Sequence, residues 1–70
     1  MKYVGLTDNP SRRKSEHGNP HDWWQRSFNN ETEARNWEKE ILAKPGYKGG
    51  TGGDGWRYGY TYTITSLTIE

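Results

Sequence analysis

Seventy residues and 8.2 kDa allow one domain, and hydrophobic residues are only 29% of the chain, half of them aromatic (14%). No apolar run approaches the about 18 residues of a membrane span, no apolar h-region marks a secretory leader, and the lack of cysteine excludes disulfides and thiolate metal sites. Ten basic and nine acidic residues give a net charge of +1, so bulk charge does not announce a nucleic-acid partner, and two His are too few for the usual zinc site.

A mean hydropathy of -1.29 alone would suggest disorder. Four Trp and five Tyr argue instead for a small folded, intracellular domain with an aromatic core and a polar surface. Residues 2–6 read as a short strand carrying Tyr3, Val4 and Leu6. Asp8 or Asn9 can cap a helix over 10–17, with Pro10 at its first position, where a missing N–H costs nothing. That helix is polar throughout and stops at Gly18-Asn19-Pro20. With no apolar stripe, burial alone cannot hold it.

Residues 23–28 alternate as a strand, with Trp24, Arg26 and Phe28 on one side and Trp23, Gln25 and Ser27 on the other. Asn30 with Glu33 forms a capping-box pattern that opens a second helix over 31–43. Ala34, Trp37 and Ile41 mark its apolar face, and Glu38 sits on or beside it. Pro45-Gly46 ends the helix. Residues 47–55 read as a Gly-rich loop, with Lys48 and Arg57 as candidate backbone contacts to nucleic acid. Residues 56–64 form the clearest strand, alternating Trp56, Tyr58, Tyr60, Tyr62 and Ile64 with Arg57, Gly59, Thr61 and Thr63. Leu67 and Ile69 then change phase, which predicts a bulge or bend near Thr65-Ser66.

Arg13 and His17 stand four apart and share one helix face. Arginine can donate two bonds to a phosphate, and histidine exchanges protons near neutral pH. A carboxylate set against a core, such as Glu38, is a hard-oxygen ligand for Mg²⁺, and a tyrosine hydroxyl can position a water. Together these suit metal-assisted phosphodiester hydrolysis.

The run from Tyr3-Val4-Gly5-Leu6-Thr7 through Arg13 to His17 resembles the Tyr-Val-Gly strand and following helix of GIY-YIG endonucleases. Gly5 precedes Arg13 by eight positions, and Arg13 precedes His17 by four. Downstream, Phe28 and then Glu33-Ala34-Arg35-Asn36-Trp37-Glu38 resemble the third strand and metal-binding helix of the family. The family's opening Gly-Ile-Tyr strand is missing before Tyr3, but Tyr62-Thr63-Ile64 resembles its Tyr-x-Ile core. Joined end to end, the chain would place the two tyrosines at about the family's hairpin spacing. The resemblance therefore implies a circularly permuted domain. Its fold would be α+β: a three-stranded antiparallel sheet with two helices packed on it, and the C-terminal strand central between residues 2–6 and 24–28.

The resemblance also implies roles. Tyr3 and Tyr62 would orient or activate water, Arg13 would bind the scissile phosphate, and His17 would position a tyrosine hydroxyl or relay a proton. Glu38 would hold one Mg²⁺ or Mn²⁺. Apart from the resemblance, Arg12 and Lys14 can join Lys48 and Arg57 on the backbone of a DNA substrate, and a domain of 70 residues has so little surface that specificity would need a homodimer or a larger protein partner. The absence of cysteine suits the cytoplasm. Plainer readings stand beside these. Tyr3, Tyr58 and Tyr60 can be packing aromatics, Arg13 and His17 a solvated helix face, and Glu38 an exposed flank. Two other functions stay open: a non-catalytic nucleic-acid-binding module on the same scaffold, and a small protein-interaction domain rich in Trp and Tyr.

Overall fold

The computed structural model describes residues 1–49 and 55–65. Its elements in chain order are β1 (Lys2–Thr7), α1 (Pro10–Glu16), β2 (Trp24–Ser27), α2 (Glu31–Leu42), β3 (Tyr47–Gly49) and β4 (Tyr58–Thr63). Both helix starts follow from side-chain caps. Asn9 accepts a bond from the Arg12 amide at 3.1 Å, with Pro10 in the first turn, and Asn30 accepts from the Glu33 amide at 2.8 Å.

The strands form one mixed sheet in the order β2-β4-β1-β3. β4 is antiparallel to both neighbours, so the strand expected at the centre lies there, between β1 and β2. Its register sets Tyr62 opposite Tyr3, Tyr60 opposite Gly5 and Gly59 opposite Arg26. The expected three-stranded antiparallel sheet is corrected to a four-stranded mixed one. The extra strand, β3, occupies the start of the expected Gly-rich loop and runs parallel to β1, pairing Tyr47 with Lys2 and Gly49 with Val4. The reason is the free edge of β1, whose N–H and C=O groups need partners where the strand is buried. The centre of the Gly-rich loop (50–54) and the expected change of phase at Leu67 and Ile69 lie outside the described residues.

Alternation along the strands gives the sheet two different faces. α2 covers one of them. Its Trp37 packs against Trp24 and Phe28, and Ala34 is fully buried. A methyl group added at Gly59 would collide with the Trp37 ring, so only glycine lets the helix come this close. Val4 and Leu6 of β1 point to this side and are buried. The other face carries Tyr3, Tyr60 and Tyr62. Trp23 stacks on Tyr60 with 4.4 Å between ring centres, while its neighbour Trp24 is 50% exposed. α1 lies on this second side without a single buried residue of its own. Among the described residues no helix is long and apolar enough to cross a membrane.

Candidate active site

What fastens α1 to the sheet is the residue that ends it. His17 is its C-cap and only 3% exposed. Its ring lies 5.0 Å from those of both Tyr3 and Tyr62. His17 Nδ1 is 2.7 Å from the Tyr62 hydroxyl, and Nε2 is 3.1 Å from the Tyr60 hydroxyl. A neutral imidazole donates from one nitrogen and accepts at the other. One tyrosine therefore donates its O–H to the ring, and the other accepts the ring N–H. The resulting chain, Tyr62–His17–Tyr60, is buried, with both tyrosines 1% exposed.

Tyr3 completes the cluster. Its ring stacks on Tyr62 at 5.3 Å, directly across the β1–β4 ladder. Unlike the other two hydroxyls, that of Tyr3 has no hydrogen-bond partner among the described residues. Arg13 stands one helical turn before His17. Its Nη1 donates to Glu16 Oε1 at 3.0 Å, and its Nε is buried with no partner. Burial alone would lower the guanidinium's pKa, but the neighbouring Tyr60 and Glu16 side chains outweigh it and raise the value. Burial likewise pushes the Tyr60 phenol up, against the downward pull of Arg13. At neutral pH the site thus holds a fixed cation beside a protonated phenol.

The structure brings together Tyr3, Arg13, His17 and Tyr62 of the expected set. Glu38 is placed elsewhere, half-buried on α2 beside Trp37, and α2 packs on the opposite face of the sheet. No hydrogen bond or ion pair joins it to the cluster among the described residues. No group of three or more metal-type side chains forms among these residues either. Glu38 is a carboxylate, the donor type of Mg²⁺, but its place across the sheet does not fit a metal that serves the cluster, which corrects the expectation that it joins the site. Of the expected backbone contacts, Arg12 is exposed and Lys14 half-buried on α1. Lys48 is exposed on β3 opposite Tyr3, and Arg57 is exposed with its guanidinium 5.9 Å from the centre of the Trp56 ring.

Two features were missed in the sequence. Tyr60, read there as packing, holds the second nitrogen of His17. A signal existed: Tyr60 alternates onto the face of Tyr62. Gly5 is explained by the same contact, since a Cβ there would sit 2.5 Å from the Tyr60 hydroxyl. The other feature is a pair of aspartates that tie loops to β4. Asp8 accepts from the Trp56 and Arg57 amides at 3.1 and 3.2 Å, and Asp22 accepts from the Thr63 amide and hydroxyl.

No protein-family model matches the chain, and neither a curated protein nor a solved structure matches it.

Proposed function

We propose that this protein is a metal-dependent nuclease that cleaves phosphodiester bonds in DNA, working in the cytoplasm on a circularly permuted GIY-YIG-like scaffold in which β4 replaces the family's first strand. The observation that carries this reading is the direct pairing of Tyr3 with Tyr62 across β1 and β4, with His17 packed against both rings. Arg13, the partly exposed cation of the cluster, binds and neutralises the scissile phosphate. The Tyr3 hydroxyl, free of protein partners among the described residues, holds the attacking water. Tyr62, His17 and Tyr60 stand behind it and fix the Tyr3 ring, with His17 positioning the two other tyrosine hydroxyls. Mg²⁺ or Mn²⁺ is implied by the resemblance alone: Glu38 lies on the opposite face of the sheet from this cluster, and no step at the phosphate is routed through it. Arg12, Lys14, Lys48 and Arg57 contact the DNA backbone on either side. A 70-residue domain has little surface for reading sequence, so a second copy or a larger protein would set specificity.

Plasmid nicking with Mg²⁺ or Mn²⁺ tests the reading. Wild-type protein is expected to nick, with Arg13→Ala reducing the rate by at least about 100-fold and chelation of the metal abolishing it. An inactive wild type, with both proteins folded, would defeat it.

A second reading, a non-catalytic nucleic-acid-binding module, draws on the burial of the Tyr62–His17–Tyr60 chain, which suits a structural brace. Such a module would bind DNA equally well with and without divalent metal, and would not nick it.

A further inference from the structure

Glu16 is in an unexpected place. It closes the last turn of α1, where the helix dipole disfavours a negative charge. Its partners Arg12 and Arg13 lie N-terminal to it, and for pairs four apart that order is the weaker one. For helix stability this is the weaker placement. One carboxylate oxygen takes Arg12 Nε at 3.4 Å, and the other takes Arg13 Nη1 at 3.0 Å. Two acceptor oxygens shared between two guanidinium groups is also how a phosphate presents its non-bridging oxygens. Arg13 meanwhile keeps a buried Nε that Glu16 leaves unsatisfied.

We propose that Glu16 is an internal stand-in for phosphate, holding the Arg12–Arg13 pair in the free protein and giving way when a nucleic-acid backbone binds. The inference rests on the nucleic-acid reading above and adds to it a residue that sets substrate affinity. The Glu16 side chain is 41% exposed, as a displaceable group must be, and ion pairs at that exposure are weak enough to exchange for a phosphate. Holding the arginines in place also spares the substrate part of the ordering cost, so Glu16 trades affinity for a site kept ready.

The test is binding of a fluorescent duplex oligonucleotide by anisotropy, at low salt and with divalent metal chelated, so that turnover plays no part. Glu16→Gln preserves size and removes the charge. It is expected to tighten binding about fivefold. Glu40→Gln makes the same charge change at an exposed position of α2 and is expected to have less than half of that effect. In an Arg13→Ala background, Glu16→Gln is expected to lose most of its gain, because the interaction it relieves is already gone. Equal gains from Glu16→Gln and Glu40→Gln, or a gain that survives Arg13→Ala, would overturn the stand-in while leaving the nucleic-acid reading intact. No binding by any of the proteins would overturn both.

Discussion

Beneath α2 the sheet meets Val4, Leu6, Trp37, Phe28 and Ala34, an interface of close apolar contact that extends to a glycine backbone. Beneath α1 it meets tyrosine rings and one imidazole, joined through hydroxyls. α2 is held by packing along its length, whereas α1, with no buried residue between its caps, is held at its end by His17. A small aromatic chain can thus place its polar chemistry on the face that does not have to hold the fold together. One face supplies cohesion, and the other can then spend its positions on groups that donate, accept and carry charge.

The apolar face is the more severe one to disturb. Trp37→Ala is expected to cost about 3–5 kcal/mol, a large part of what a domain this small has, and to show as a collapse of the urea midpoint. His17→Ala attacks the other face. It removes the hydrogen bonds between the ring and two buried hydroxyls and is expected to cost about 2–4 kcal/mol. The sharper readout is regional: amide exchange should accelerate in α1 and stay unchanged in α2. Acceleration of both helices together would mean that the two faces do not hold their helices independently.

The smallest expected effect concerns the bond that ties the α1–β2 loop to β4. The Thr63 hydroxyl and amide hold the Asp22 carboxyl below its usual pKa. Because the folded value is lowered, the stability Asp22 contributes is present above the ordinary carboxylate range and is lost as pH falls through the lowered value. Asp22→Asn is therefore expected to cost about 1 kcal/mol or less at neutral pH, since the group is exposed. The gap between wild type and variant in thermal unfolding should close in acid. A gap that persisted at low pH would assign the effect to shape rather than charge.

Much of this was legible in the sequence because it is local or periodic. Asn9 and Asn30 announce their helices through cap chemistry. The alternation of residues 23–28 separates Trp23 from Trp24, as the ring contacts show. Ala34, Trp37 and Ile41 mark the face that α2 turns to the sheet. The central position of β4 was neither local nor periodic; it was implied by the resemblance that matched Tyr62 with Tyr3. What escaped depends on partners distant in the chain. β3 has three residues and no periodicity of its own; the open edge of β1 makes it a strand. Tyr60 resembles any strand aromatic until Gly5 across the ladder makes room for its hydroxyl. Asp8 and Asp22 look like turn residues, and only the folded chain brings them to the two ends of β4.

The central place of β4 has a consequence for how this chain acquires its fold. β1 and β2 never touch through a ladder of their own; each pairs with β4. Lys2 waits for Thr63, and Tyr3 for Tyr62, across nearly the whole described chain. Closing so long a loop must be accomplished before any of those contacts repays it, which places folding towards the slow end for a domain of this size. Without β4 the sheet falls into two separate parts, β2 alone and β1 with β3, so one strand decides whether the sheet is continuous.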